Sequence, residues 1–152
     1  MKPGLFLKST ALLNGTVFEN AVIFITEFNE KGAMGFVVNQ LFARKLHELS
    51  AFKNGEPFPL YAGGPVDPEH LYFIHQRPDL IEGGELVTGN IYLGGNFKSA
   101  LKYINNHTIA EKDIRIFIGY CGWDYRELDE EIAEGSWQVV EMGDLFSITQ
   151  AG

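Results

Sequence analysis

Two segments limit the folds open to this chain more than anything else in it. Residues 21–28 (AVIFITEF) and 114–120 (IRIFIGY) are short runs dominated by β-branched and aromatic residues. A strand with one wet face alternates polar and apolar side chains, whereas a run that is apolar on both sides must be covered on both. Each run therefore predicts a central strand with packing on either face. Around them, 17 glycines and 6 prolines cut the chain into many short elements.

Further strands are expected at residues 4–9, 34–39, 58–62, 71–76, 90–93 and 137–142. The turn Asn29-Glu30-Lys31-Gly32 folds 21–28 onto 34–39 as a hairpin. Helices are expected at 43–52, at 96–106 (Phe97, Leu101 and Ile104 on one face) and at 124–134. About seven strands and about three helices in mixed order describe an α+β fold rather than a βαβ array. At 152 residues, without repeats or linkers, the chain makes one domain that needs no disulfide or metal staple. Its single cysteine excludes an internal disulfide and a multi-cysteine zinc site. The longest apolar run, residues 21–25, is far short of the ~20 residues of a membrane-spanning helix, and residues 1–20 hold no secretory signal. A cytoplasmic protein with no membrane contact is the expectation.

The formal charge of −8 is concentrated in one stretch. Residues 108–144 hold ten acids and three bases, and the rest of the chain is nearly neutral. Most of these acids fall on the expected helix 124–134. Asp124 stands at its N-cap, Glu127 three residues on completes a capping box, and Gly135 stops it. Tyr125, Leu128 and Ile132 form its inward stripe, leaving Glu127, Glu130, Glu131 and Glu134 as an acidic docking face. A solvated face is the plainest reading of such a run. A surface for a basic protein partner and a hard-cation site are the two alternatives. Direct nucleic-acid binding is not expected, because no helix carries a row of Lys or Arg to release phosphate counterions.

Three glycine turns carry the remaining signals. Gly63-Gly64-Pro65-Val66 joins two strands and is either a tight connection or an anion nest. Gly94-Gly95-Asn96 enters a helix but lacks the Gly-Lys-Ser/Thr ending of a phosphate loop. Gly119-Tyr120-Cys121-Gly122-Trp123 reads as a turn between strand and acidic helix, with Cys121 as a small buried residue rather than a nucleophile. His47, His70, His75 and His107 show no metal-binding spacing, so no metal or other cofactor is expected.

Gly32-Ala33-Met34-Gly35 with Asn39, then Gly63-Gly64-Pro65-Val66, then Gly119-Tyr120-x-Gly122-Trp123 with Leu128, Glu131 and Trp137 form an ordered set. In this the chain resembles the YqgE/AlgH family from about Gly4 to Trp137. The resemblance implies a bacterial cytoplasmic protein with coiled, bifurcated sheets. It also implies a family without an established activity, some of whose members are labelled transcriptional regulators. It marks Asn39, Gly63, Gly64, Pro65, His75, Gly119, Tyr120, Gly122, Trp123 and Glu131 as family-typical positions, the candidate ligand- or partner-binding set. The chain departs from the pattern at Arg126-Glu127-Leu128, where Gly-Gln-Leu is usual, and at Cys121, where a smaller residue is usual. No C-terminal helix is evident after Leu145, which implies truncation or divergence. Two functions are consistent with these residues. One is a non-catalytic regulatory or adaptor protein that docks a basic partner on the acidic helix. The other is a small-ligand binder or enzyme with a pocket where the Gly63–Val66 and Gly119–Trp123 turns meet beside Asn39.

Overall fold

The two runs become the centre of one sheet. In the computed structural model, which describes residues 1–149, the strands are β1 (Phe6–Ser9), β2 (Val22–Asn29), β3 (Gly32–Val37), β4 (Leu60–Ala62), β5 (Val66–His75), β6 (Glu85–Thr88), β7 (Ile91–Leu93), β8 (Ile114–Asp124) and β9 (Trp137–Val140). They are hydrogen-bonded in the order β6-β7-β5-β8-β3-β2-β1-β9, with β4 joined to β8. All pairings are antiparallel except β4 with β8. Two α-helices, α1 (Phe97–Asn105) and α2 (Glu127–Ala133), complete an α+β architecture.

β8 belongs to both halves of the sheet. Its first part, from Ile114 to Tyr120, pairs with β5 and β4, and its last part, from Cys121 to Asp124, pairs with β3. Along it Ile114, Ile116 and Ile118 face a core shared with α1, while Phe117 and Tyr120 face a second core. Strict alternation would put Tyr120 with the isoleucines. Gly119, at φ 72°, shifts the phase by one residue and sends the strand into the other half of the sheet.

Three clusters follow from this branching. Leu7, Ile23, Ile25, Val37 and Trp123 pack under α2; Leu60, Phe73, Ile114 and Ile116 pack under α1. Phe24, Phe36, Phe117 and Ile74 fill the space where the coiled sheet folds over itself. β2 thus feeds Ile23 and Ile25 to one cluster and Phe24 to another, which is why its sequence is apolar on both sides.

Four expectations need correction. There are nine strands and two α-helices among the described residues, against about seven strands and about three helices expected. Residues 43–52 form two 3-10 turns, Leu46–Glu48 and Ser50–Phe52, separated by extended Leu49. The amides of Phe42 and Leu46 bond to the carbonyls of Leu60 and Phe58, so the segment is tied to its neighbour and lies flat. Its apolar residues still point at the core. β6 was missed, although the two-residue turn Gly89-Asn90 that pairs it with β7 is a hairpin signal.

The fourth correction concerns residues 119–124. They are not a turn into a helix but the last part of β8, with Cys121 in mid-strand opposite Gly35. α2 starts later, after Arg126 in the left-handed region (φ 67°), and Asp124 is no N-cap. Only the return half of the capping box exists, the Asp124 amide donating to Glu127 Oε1. Tyr125 is 58% exposed instead of facing the core. Gly135 does end the helix, at φ 88°.

Candidate functional site

The glycine turns meet through their backbones. Gly63 donates its amide to the Ile118 carbonyl, and its own carbonyl receives the Val37 amide, both at 2.9 Å. A Cβ on Gly64 would lie 2.2–2.6 Å from backbone atoms of Tyr120 and Cys121; one on Gly119 would lie 2.3 Å from the Gly64 oxygen. Two chain segments in such contact leave no gap between them. The Cys121 thiol donates to the Gly63 carbonyl at 3.4 Å, and burial pushes its pKa up to about 12. It is a protonated packing residue at neutral pH.

Side chains around this junction diverge. Gly64 and Pro65 border an apolar pocket of 410 Å³ with Val17, Phe18 and Gln40. Tyr120, Gly122 and Trp123 border a groove of 430 Å³ with Val66, Met34 and Lys31. Asn39 is buried elsewhere, its Oδ1 accepting the Val22 amide at 2.9 Å and its Nδ2 donating to the Asn20 carbonyl at 2.8 Å. It braces the chain entering β2, and Asn39, Gly64 and Trp123 line different pockets.

His75 is also enclosed. It stacks between Phe73 and Tyr92, its Nε2–H faces the Gly94 carbonyl at 3.0 Å, and its Nδ1 accepts the Arg77 amide. These bonds require the neutral ring, and burial pulls its pKa below the ordinary value of 6.5. The unfolded chain therefore takes up a proton first as pH falls. Stability from this group is complete above about pH 6.5, declines by at most about 1.4 kcal/mol per pH unit below it, and levels off under the folded-state pKa. Ring NMR titration should give His75 an apparent pKa below 6.5; a value at or above that contradicts the packing described here.

Glu131 anchors α2. Its Oε1 accepts from Trp123 Nε1 at 3.1 Å and from Trp137 Nε1 at 2.9 Å, and the two indoles meet edge to face. One carboxylate thus pins the helix to β8 and β9, and of the expected acidic face Glu131 is turned toward the sheet. Glu127, Asp129, Glu130 and Glu134 are exposed. Among the described residues none of them has an ion-pair partner. Where α2 begins, Glu30, Asp124, Tyr125 and Asp129 border a 190 Å³ groove against the β2–β3 turn. Arg126, its one cation, lies over the Tyr125 ring at 5.2 Å.

Two groups escaped sequence reasoning. Arg115 is buried inside the apolar run of β8 and donates to the carbonyls of Val38, Phe146 and Ile148. A lone charge within IRIFIGY was the signal. The second is a bulge in β5 between Val66 and Leu71, where Asp67 adopts φ 53° and accepts from Tyr72 Oη while meeting His70 Nδ1. The Asp67 carboxylate pushes the Tyr72 phenol up to about 12. Nothing in the spacing of these residues announces the bulge.

A coiled, branched sheet locked by glycine turns, with an acidic helix pinned across one face by a Trp–Glu–Trp bridge, defines a class by its architecture. The chain belongs to the AlgH-like family, whose model matches residues 6–151. It is 37% identical over 143 residues to a UPF0301 protein of Chlorobium limicola, covering 93% of this chain and 75% of that protein. It is 32% identical over 137 residues to one of Bacteroides thetaiotaomicron, covering 90% and 69%. The solution structure of the AlgH protein from Pseudomonas aeruginosa shares the fold, with a TM-score of 0.75 at 24% identity over 97% of this chain and 82% of that one. No helix among the described residues is long and apolar enough to cross a membrane.

Proposed function

We propose that the protein is a non-catalytic adaptor of the cytoplasm that docks a basic protein partner around α2, and that any regulation of transcription passes through that partner. The observation that carries this reading is the set of unpaired carboxylates on α2, continuous with the acidic groove beside Tyr125. Unpaired like charges cost stability in an isolated helix, about 0.2–0.5 kcal/mol per pair, so a face that keeps them is suited to cations brought from outside. The same field repels phosphates, which favours protein over nucleic acid as the partner.

The experiment is affinity capture from the native cell with the wild-type chain and with Glu130→Lys/Glu134→Lys, both sites being exposed and free of packing roles. A basic protein recovered by the wild type should be at least about tenfold depleted with the reversed helix. Equal recovery by both chains overturns the reading, as does a tight, sequence-specific DNA mobility shift with the wild type.

A further inference from the structure

Among the described residues β9 ends the sheet, and its outer edge is open. The Thr10 amide bonds to the Ser136 carbonyl at 3.0 Å, and Lys8 faces Gln138 in unbroken register. In an antiparallel ladder, residues alternate between bonding to the neighbour and pointing away. Ser136, Gln138 and Val140 therefore spend their backbone groups on β1, while Trp137 and Val139 direct theirs outward. Among the described residues nothing pairs with that side.

Natural sheets protect such an edge by keeping it very short, or with lysine, proline, a bulge or a charge placed in the strand. The opposite edge has such protection: β6 begins with Glu85, and its pairing is broken between Leu86 and Thr88. β9 is as short as β6, four residues, but it reads Trp-Gln-Val-Val with regular pairing and has no charge, proline or bulge in the strand. Val139 is 44% exposed. Just outside the strand the exposed carboxylates of Glu134 and Glu141 bracket it, neither having an ion-pair partner among the described residues.

We propose that β9 accepts an extended segment of a basic partner as an added strand, β-branched at its centre and carrying Lys or Arg at both ends. The central residues would complete the ladder at Trp137 and Val139, and the flanking cations would meet Glu134 and Glu141. A second copy of this chain fits worse. Residues 127–149 hold no Lys or Arg, so a second copy paired through its own β9 would bring no cation from that edge to Glu134 and Glu141. This inference rests on the basic-partner reading and specifies how that partner is held.

The test uses the peptide acetyl-Lys-Arg-Val-Thr-Val-Arg-Lys-amide, the same peptide N-methylated at its central amides, and an analogue with Glu at its four charged positions. Binding is followed by calorimetry and by backbone amide shifts of residues 137–141. The basic peptide is expected to bind and to perturb those amides. N-methylation should weaken it at least about tenfold, since charge is kept and the ladder is lost. Val139→Pro should weaken it similarly while leaving the bonds to β1, and so the melting temperature, nearly unchanged.

Equal binding of the N-methylated peptide, or no binding of the parent at millimolar concentration, overturns strand addition; the capture experiment then decides alone whether a basic partner docks on α2. Equal binding of the Glu analogue overturns the basic character of the partner and the docking reading with it. A wild-type dimer in sedimentation that Val139→Pro converts to monomer identifies a second copy as the occupant and overturns the proposal.

Discussion

Replacing Arg115 by alanine is expected to destabilise the fold by about 3–5 kcal/mol, because it leaves three backbone carbonyls without their donor at about 1–3 kcal/mol for each that stays buried. Arg115 is only 5% exposed, and no carboxylate among the described residues lies within ion-pair distance of it. Three backbone carbonyls take that place: Val38 at 2.7 Å, and Phe146 and Ile148 at 3.0 Å, with the Tyr61 ring 4.2 Å away. Burial lowers its pKa from the usual arginine value, yet an arginine stays protonated in proteins. Hydrogen bonds from a charged donor contribute about 1.5–3 kcal/mol each before the cost of desolvation is set against them.

Two of the three carbonyls belong to the segment that carries buried Leu145 and Phe146. Arg115 is thus a clasp that holds residues 145–148 against the inner core. In the alanine variant, amide exchange should rise first at 145–148, and the denaturant midpoint should fall. Arg115→Lys, with one head group for three acceptors, should recover only part of the loss. A change below about 1 kcal/mol in the alanine variant would show that the clasp is dispensable.

The second large effect is expected at the branch point of the sheet. Gly119→Ala adds a methyl 2.3 Å from the Gly64 oxygen and 3.0 Å from the Val66 oxygen, at a backbone φ of 72°. Left-handed backbone costs about 1–2 kcal/mol for a residue with a Cβ, and the clash with fixed backbone adds to it. A loss of at least about 3 kcal/mol is expected by chemical denaturation. Gly15→Ala is the control, because it shares a positive φ of 83° but has nothing within 4 Å of its Cβ. It should lose only the conformational part, about 1 kcal/mol. Equal losses at both sites would mean that the close approach of the two turns contributes nothing.

The central strands were legible because burial on both faces writes itself into composition. In β2 every residue from Val22 to Ile25 had to be apolar, whichever cluster it joined. The first helix was legible from the spacing of Phe97, Leu101 and Ile104 on one face, and Asn96 caps it, its side chain accepting the Ser99 amide. Boundaries set by contacts distant in sequence were not legible. Residues 43–52 have the spacing of an apolar helix face, but backbone bonds to 58–60 hold them flat. Tyr125 fits an inward stripe only if α2 starts at 124, and the extension of β8 through Asp124 removes that start.

For the candidate site, residue identities were readable and their roles were not. Asn39, His75 and Glu131 have side chains suited to binding or proton transfer, and each is occupied by at least one hydrogen-bond partner 6–19 residues away in the chain. Glu131 reads as one more acid on an acidic helix until Trp123 and Trp137 are brought to the same oxygen.

By itself the sequence determined an α+β protein with two strands covered on both faces along their apolar runs, glycine-dependent turns and a net charge concentrated in residues 108–144. These are properties of composition and spacing, carried by each residue wherever the chain goes. Only the tertiary structure decided that the turns lock backbone to backbone, that Arg115 serves three carbonyls, and that β9 has an edge unpaired among the described residues. Those facts depend on which distant groups meet, since hydrogen bonds and close contacts act over a few ångströms and a linear pattern holds no record of them.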